Sequence, residues 1–356
     1  MHHSQKIARG IGIAAVAALG IGLMSCSSAP ADSGTAAEGG GAADDTFVIG
    51  FEQPLGGQAW RETGLAAMQA FAKREYGDKV ELKIVRTNDN DAAQQNAAIQ
   101  NLIAEGVDAI LFDPASATGA DAAIAQAEAA GIPVFANGGP YDNDYVYTVS
   151  TDWASAGKTG AEWLLEQLGD NKDVVLLEGV AGVPLNDTSV PEARKILEDG
   201  GANIIAEGAN NWNEADAQKA MAQILQSHPD VGGVYSFLTG GQGVPEAFAD
   251  ANIPFVPVVG GSGYNGEACT LVKYQDEGLT GNMIFGHPAI YAKGLEQAVM
   301  LLEGEEIEQE QYFAPAEITD ENAEDFCLPD KPDNFQLGYD FPGLDITLDE
   351  YLEFAK

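Results

Sequence analysis

Residues 48–68 read VIGFEQPLGGQAWRETGLAAM and hold the pattern that decides the fold. An apolar run leads through a pair of glycines into a segment whose apolar residues recur at helical spacing. A strand followed by a glycine turn and a helix is the repeating unit of α/β sheets, which gather ligands beyond the ends of their strands. Four polar or aromatic side chains surround this turn: Glu52, Gln53, Trp60 and Arg61.

The same kind of apolar run recurs along the chain. VELKIV (80–85), VDAILF (107–112) and IPVFA (132–136) follow in turn, separated by helical patterns. Strands this apolar are buried on both faces, which favours a parallel sheet. The series begins again at DVVLLE (173–178). The sequence therefore predicts an α/β fold with two doubly wound, Rossmann-like lobes.

Length and charge limit the possible functions. The chain has 356 residues, enough for two lobes of ordinary size. Its 55 acidic residues outnumber 17 basic ones and give a formal charge of -38. Because such a charge repels phosphate backbones and anionic lipid surfaces, we do not expect a nucleic acid partner. The acidic residues are spread over many predicted helix faces, so they indicate a well-solvated protein surface. They do not identify a substrate.

The N-terminal residues indicate export. Basic residues precede an uncharged run from Gly10 to Met24 that is too short for a typical membrane span. The end of this signal, LMSC (23–26), looks like a lipoprotein lipobox, whose cysteine receives two acyl chains; a plain cleavable signal would not explain that cysteine. We expect a signal peptide over 1–26, a lipid on Cys26, and an extracytoplasmic protein anchored to the cell membrane. Residues 27–45 lack large apolar side chains and are expected to form a flexible tether.

Two further cysteines, Cys269 and Cys327, are present. In an oxidising compartment an even pair suggests a disulfide. Two buried thiols are the alternative, because free cysteine packs as a small apolar side chain. No cluster of further ligands accompanies them in the sequence, so no metal is expected.

Tryptophan is concentrated just after predicted strands. Trp60, Trp153 and Trp212 are three of the four tryptophans, and all three follow strand ends. An indole face suits the apolar CH side of a sugar or polyol, or a flat heterocycle. Arg61 can form paired hydrogen bonds with hydroxyls or with a carboxylate. We expect a ligand cleft where the strand ends of the two lobes face each other.

Several fragments together resemble a known family, the ribose- and galactofuranose-binding type of periplasmic solute receptor. The similarity covers about residues 46–315, and its strongest piece is GFEQPLGGQAWRETG at 50–64. The other fragments, in order, are GVDAILFDPASATG (106–119), AGIPVFANG (130–138), VSTDWASAGKTGAEWL (149–164), LEGVAGV (177–183) and HPDVGGVYS (228–236). The resemblance implies a type I periplasmic binding protein, with two lobes joined by a three-segment hinge that closes over a small solute. It also implies an ABC permease and its ATPase as partners.

The resemblance assigns segments to lobes. The first lobe is expected to contain residues 46–151 and 286–316, and the second to contain 152–285 and 317–356. The last segment is a C-terminal extension, which a Cys269–Cys327 bridge would staple to the second lobe.

The expected cleft departs from the family at several positions. Where relatives carry polar groups for ring hydroxyls, this chain has Gly138 and Gly139, Asp187, Leu238, Ser262 and Phe285. Ordinary ribose recognition is therefore not expected. A linear polyol or an unusual sugar is the first hypothesis, and a heteroaromatic or amine-bearing solute is the second.

The candidate ligand-binding residues combine aromatic and amide side chains with few charges. They are Glu52, Gln53, Trp60, Arg61, Asn137, Tyr141, Asn186, Asp187, Trp212, Thr239, Gln242, Asn265, Phe285 and His287.

The sequence does not match the enzyme motifs that it partly resembles. AGKT at 156–159 lacks the earlier glycine of a phosphate-binding loop, and NDND at 88–91 lacks a calcium-loop ligand and glycine. We expect a monomeric binding protein that is not an enzyme and carries no cofactor. A sensor that reports its ligand to a signalling partner is the alternative of another class, and a hydrolase would need a nucleophile and base that the sequence does not offer.

Overall fold

The computed structural model describes residues 46–355. The predicted signal peptide, the lipid-bearing Cys26 and the tether lie outside the described residues. Within 46–355, no helix combines the length and the apolar character needed to cross a bilayer.

The described strands form two six-stranded sheets. In chain order they are β1 Phe47–Gln53, β2 Val80–Arg86, β3 Ala109–Phe112, β4 Val134–Gly138, β5 Val146–Thr151, β6 Asp173–Glu178, β7 Asn203–Ala209, β8 Gly233–Ser236, β9 Val258–Gly260, β10 Gly281–Phe285, β11 Glu310–Phe313 and β12 Ala316–Thr319. The first sheet has the order β11-β5-β4-β3-β1-β2 with parallel pairing throughout. The second has the order β12-β10-β9-β8-β6-β7, and β12 is antiparallel to β10.

Helices cover the faces of the sheets. They are α1 Ala59–Phe71, α2 Ala92–Ala104, α3 Asp121–Ala130, α4 Trp153–Gln167, α5 Pro184–Asp199, α6 Glu214–Leu225, α7 Gly243–Ala251, α8 Asn265–Tyr274, α9 Ile290–Leu302, α10 Ala323–Phe326 and α11 Leu348–Leu352. Strands β3 and β4 are buried along their whole length, because helices pack on both sides of them. The predicted α/β fold of two doubly wound lobes is confirmed.

The chain passes repeatedly between the two lobes. After β5 it enters α4, which packs against β8 and β10 of the second sheet. After β10 it returns as α9, which packs against β3, β4 and β5 of the first sheet. The short link between β11 and β12 then joins the first sheet to the second. Strand ends of both sheets therefore converge where the chain crosses.

The predicted disulfide is present. Cys327 is bonded to Cys269 of α8, with the two Cα atoms 4.7 Å apart. Beside it, the Asn265 side chain accepts a hydrogen bond from Leu328 N at 2.7 Å and donates to Leu328 O at 3.0 Å. The start of the C-terminal extension is thus fixed to the second lobe.

The end of the extension packs elsewhere, against the first lobe. Phe341, Leu344, Ile346 and Tyr351 are buried in one core cluster with residues of α1 and α9. This differs from the expected placement of all of 317–356 in the second lobe. The physical reason is that these apolar side chains find their burial on the first lobe, so the extension forms a further connection between the lobes.

Candidate functional site

A cleft lies between the two lobes, with an empty volume of about 490 Å³ that includes space open to solvent. The first lobe contributes Gln58, Trp60, Arg61, Asp113 and Gly138 to its lining. The second contributes Trp153, Leu185, Trp212, Leu238, Ser262, Tyr264 and Phe285. Small-molecule sites in proteins are mostly apolar with a few converging polar groups. The lining of this cleft has that composition.

A buried ion pair forms the polar centre of the first-lobe wall. Arg61, in the first turn of α1, places Nε 2.8 Å from Oδ2 of Asp113, which directly follows β3. Tyr291 of α9 donates its hydroxyl to the same oxygen at 2.7 Å. Gln58 Oε1 accepts a hydrogen bond from Arg61 Nη1. Three segments of the first lobe thus hold one guanidinium and one carboxylate in fixed positions.

Burial and charge set the protonation of this group. Burial opposes the charge of Arg61, but the neighbouring Asp113 outweighs it, and the pKa of the guanidinium is raised. Burial and then the Asp113 charge raise the pKa of Tyr291 well above its usual value. The arginine therefore stays charged and the tyrosine stays a hydrogen-bond donor at any physiological pH.

Glu52 lies behind this wall and not in the cleft lining. Its side chain is completely buried at the end of β1. Its carboxyl accepts hydrogen bonds from Gln95 Nε2 at 2.5 Å and from Thr87 Oγ1 at 3.2 Å. Burial raises the pKa of Glu52 to about 7, although the Gln95 hydrogen bond acts in the opposite direction. Glu52 thus supports the first-lobe wall from behind, and the charge of its carboxyl group changes near neutral pH.

Two indoles join the lobes beside the cleft. Trp60 donates Nε1 to Gly286 O at 2.8 Å, at the point where the chain leaves β10. Trp153, at the start of α4, donates Nε1 to Gly138 O at 3.1 Å. Because both N–H groups are already used, these tryptophans offer their ring surfaces, and not a donor, to a solute.

Gly138, at the end of β4, has a backbone conformation that favours glycine. Its φ is +104°, and a Cβ there would lie 3.3 Å from Tyr291 Cε1 and 3.6 Å from Trp60 Cη2. A larger residue would therefore strain the backbone and crowd the Tyr291 ring.

The second-lobe wall is mainly apolar. Leu185, Trp212, Leu238 and Phe285 line it. Trp212 and Leu238 both have positive φ, +54° and +57° respectively. Large side chains seldom adopt this left-handed conformation, which favours glycine and asparagine. The turns therefore hold two apolar side chains at the cleft in spite of backbone strain.

Two glutamates, the buried Glu267 and the half-buried Glu214, hold the loops of this wall. Glu267 of α8 accepts hydrogen bonds from Ser262 N at 2.9 Å and from Tyr264 N at 2.8 Å. Glu214 of α6 accepts from Gly240 N at 2.9 Å. Burial, followed by the charge of Glu214, raises the pKa of Glu267 well above its usual value. The carboxyl groups thus act as anchors for backbone N–H groups beside the cleft.

Four of the candidate residues from the sequence meet in the cleft lining: Trp60, Arg61, Trp212 and Phe285. The others lie outside the lining and satisfy hydrogen bonds of the protein. Gln53 donates to Glu62 Oε1 at 3.1 Å, and Asn137 donates to Tyr291 O at 3.2 Å. Tyr141 donates its hydroxyl to Asp121 Oδ1 at 3.0 Å.

The second-lobe candidates outside the lining have similar roles. Asn186 accepts from Gly179 N at 2.9 Å, and Asp187 accepts from Gly182 N at 3.2 Å. Thr239 Oγ1 lies 3.1 Å from Ser262 Oγ. Asn265 binds the C-terminal extension, as described above. Turn and cap residues of this kind commonly bond nearby backbone groups, which explains why they do not face the cleft.

The side chains of Gln242 and His287 also contact other residues of the protein and do not line the cleft. Gln242 donates Nε2 to Glu246 Oε1 at 3.2 Å and to Asp333 Oδ2 at 3.3 Å. His287 packs edge-on against Phe341, with ring centroids 5.6 Å apart, and burial lowers its pKa. Both contact the C-terminal extension, whose path the sequence did not reveal.

Several lining residues were missed by reasoning from the sequence. Asp113 stands directly after a predicted strand, and that position was the available signal. Behind the lining, Glu267 at the third position of α8 accepts from Tyr264 N; tyrosine is not a usual capping residue, so no sequence pattern pointed to this contact. Gln58, Leu185 and Tyr264 offered no comparable signal. Among residues 46–355, no group of three or more His, Cys, Asp or Glu is placed to hold a metal ion.

Comparisons with known proteins agree with this architecture. The family model described as "Periplasmic binding protein domain" matches residues 22–306. The xylitol-binding protein of Mycolicibacterium smegmatis is 27% identical over 320 residues, which cover 88% of this chain and 86% of that protein. The D-apiose import binding protein of Paraburkholderia graminis is 31% identical over 191 residues, covering 51% of this chain and 60% of that protein.

A solved structure shows the same fold. The ABC transporter solute-binding protein from Thermobispora bispora superposes with a TM-score of 0.73 at 24% identity, covering 87% of this chain and 95% of that one. Since the family model spans most of the chain and both lobes match in topology, the chain belongs to the periplasmic binding protein family, in its type I form.

Proposed function

We propose that this protein is the solute receptor of an ABC importer and that it binds one sugar or polyol in the inter-lobe cleft. The proposal is supported by the family, by relatives named for xylitol and D-apiose, and by the chemistry of the cleft. It includes a lipid anchor on Cys26 and an ABC permease with its ATPase as partners.

The observation that carries the proposal is the Arg61–Asp113 pair in a cleft lined by aromatic rings. A charged guanidinium donates strong hydrogen bonds, and a carboxylate accepts them. Vicinal hydroxyls can satisfy both groups at once, because each hydroxyl donates and accepts. Trp60, Trp153 and Trp212 supply ring surface for the CH groups of the same solute. The site thus matches the two kinds of surface that a sugar or polyol presents.

Closure of the hinge would couple binding to transport. The cleft lining is divided between the lobes, so a solute touches all of it only when the lobes approach each other. A solute that makes contacts only in the closed arrangement shifts the population toward that arrangement. The closed form then presents a surface that the permease can distinguish from the open form.

A thermal-shift screen tests the solute class. The purified mature protein would be melted with sugars, polyols, amino acids and nucleosides, followed by calorimetry on any hit. A solute at a hundred times its Kd stabilises the folded state by about 2.7 kcal/mol and must raise the Tm. We expect a sugar or polyol to do so and to be recovered unchanged. A Tm raised only by amino acids or nucleosides would overturn the proposal.

A fractionation experiment tests the anchor. Cys26→Ala removes the acceptor of the acyl chains, so the variant should leave the membrane fraction while the parent remains there. Equal membrane retention of both proteins would contradict the proposed lipidation without affecting the solute test.

A further inference from the structure

The two walls of the cleft offer different groups to a solute. The first-lobe wall presents Gln58, Arg61 and Asp113. The second-lobe wall presents Leu185, Trp212 and Leu238. Hydrogen-bonding capacity is therefore concentrated on one side of the cleft.

The polar groups near the second wall are largely occupied by the protein. Ser262 donates its hydroxyl to Leu238 O. Asn186 and Gln242 bond Gly179 and two carboxylates, as described above. Tyr264 is the exception: it is a polar residue of the second-lobe lining, close to the charges of Glu267 and Glu214, and it is distinct from the apolar patch of Leu185, Trp212 and Leu238.

The indole of Trp212 also turns a carbon surface to the cleft. A Cβ built on Gly179 would lie 2.0 Å from Trp212 Nε1, so the N–H edge of the ring packs on the Gly179 backbone. Nε1 is buried and has no hydrogen-bond partner within the part of the chain that the structure describes. The remaining ring surface is apolar and lines the cleft.

Backbone strain gives an independent reason to assign a role to this apolar surface. Leu238 has a φ of +57°, where asparagine or glycine would be accommodated more easily. Strain of this kind persists where the surrounding structure enforces it, and it is concentrated at ligand sites. A leucine held in this conformation at the cleft therefore suggests a contact that needs a hydrocarbon side chain.

We infer that the solute has two chemically different edges. The edge that meets Arg61 and Asp113 carries hydroxyls. The edge that meets Leu185, Trp212 and Leu238 carries a deoxy carbon, a methyl or a methoxy group. This inference rests on the proposed function and narrows its solute class. A hydroxyl placed against the second wall would lose its hydrogen bonds to water without gaining others, which disfavours fully hydroxylated solutes.

Matched solute pairs test the inference directly. Calorimetry would compare D-galactose with D-fucose, L-mannose with L-rhamnose, and D-ribose with 2-deoxy-D-ribose, because the members of each pair differ by one hydroxyl. We expect the deoxy member of the pair that binds best to bind at least about tenfold tighter. Tighter binding of the fully hydroxylated member would overturn the inference and leave the proposed function standing. Failure of every sugar and polyol to bind would overturn both.

A designed variant makes the test specific to Leu238. Leu238→Asn places an amide at the cleft wall and relieves the positive-φ strain, so the variant should keep or raise the Tm. We expect it to reduce or reverse the preference for the deoxy member. Leu352→Asn, at an exposed position of α11, is the matched control and should leave the preference unchanged. An unchanged preference in Leu238→Asn would show that this side chain does not select the solute.

Discussion

The two walls of the cleft are built on opposite physical principles. The first wall consists of buried charges that are paired before any solute arrives, with Arg61 and Asp113 held 2.8 Å apart. The second consists of apolar side chains on strained turns, with Trp212 and Leu238 at positive φ. If the cleft binds a sugar or polyol as proposed, the polar wall orients the solute and the apolar wall selects which solute is accepted.

The stability of the protein is sensitive to the loss of either charge in the polar wall. Pairing in a low-dielectric interior roughly offsets the desolvation of two charges, but loss of one partner leaves an uncompensated charge. Stability is less sensitive to a substitution in the apolar wall, because each of its van der Waals contacts is small and another apolar side chain can form similar ones. Substitutions should therefore affect folding strongly on the first wall and mainly selectivity on the second.

The largest effect is expected from Asp113→Ala. Removal of this carboxylate leaves Arg61 buried without its ion-pair partner, and the Arg61 and Asp113 side chains are only 4% and 3% exposed. We expect the free energy of unfolding to fall by about 3–5 kcal/mol. Urea denaturation would measure it, and solute binding should weaken by about 100-fold or more.

A double variant separates the lost charge pair from general damage. Arg61→Leu/Asp113→Leu removes both charges, so much of the stability lost in Asp113→Ala should return while solute binding does not. A double variant no more stable than Asp113→Ala would show that packing, and not an orphaned charge, explains the loss.

A covalent bond fixes the C-terminal extension to the second lobe. The Cys269–Cys327 bridge closes a loop with a sequence separation of 58 and fixes the extension beside α8. Loop-closure entropy predicts a loss of about 2–4 kcal/mol when both cysteines are replaced by alanine. The solute preference should persist, because the lining chemistry is unchanged. Urea denaturation together with the matched-pair calorimetry would check both expectations.

Two controls are available for the disulfide prediction. Reduction of the parent protein should lower its stability toward that of the double alanine variant, whereas the reductant should leave that variant unaffected. A stability change below about 0.5 kcal/mol in the variant would contradict a structural role for the bridge.

The fold was accessible from the sequence because it rests on local patterns. Continuous apolar runs such as 107–112 identify buried parallel strands, and residues 48–68 show the strand, turn and helix in order. The C-terminal extension was placed in the wrong lobe in part. Its apolar residues, including Phe341 and Tyr351, form no regular pattern from which the surface that buries them could be predicted.

The site was less accessible, because side-chain direction is a tertiary property. Sequence position drew attention to Trp60 and Arg61 after β1, and the structure places both in the cleft lining. It could not show that Asn137 would turn to the Tyr291 carbonyl, or that Asn265 would bind the extension. Polar residues in turns bond either a ligand or the nearby backbone, and the choice depends on groups distant in sequence.

Glu52 provides a pH test of the first wall. Its pKa is raised to about 7 in the folded protein from an ordinary value of 4.5. The folded state therefore holds a proton that the unfolded state has released, so stability should decline as pH rises from about 4.5 through 7. Glu52→Gln removes this decline and should be more stable than the parent at pH 8 by about 2–3 kcal/mol.

The control for Glu52 is a carboxylate on the surface. Glu128 is exposed near the end of α3, and Glu128→Gln should reproduce the pH dependence of the parent. Denaturation midpoints from pH 4.5 to 8 would provide the comparison. The same slope in Glu52→Gln and in the parent would locate the titrating group elsewhere.

The smallest effect concerns the extension that contacts both lobes. The Tyr351 hydroxyl lies 3.2 Å from Thr63 Oγ1 of α1 in a buried contact. Tyr351→Phe removes this hydrogen bond, keeps the ring, and leaves the threonine hydroxyl without that partner, so a loss of about 1 kcal/mol in the free energy of unfolding is expected.

Tyr339→Phe is the matched control, because Tyr339 stacks on Tyr351 with centroids 5.2 Å apart. Its hydroxyl makes no hydrogen bond to any residue in 46–355, so its removal should cost little. If both variants lose the same stability, the Tyr351–Thr63 hydrogen bond contributes nothing measurable to holding the extension on the first lobe.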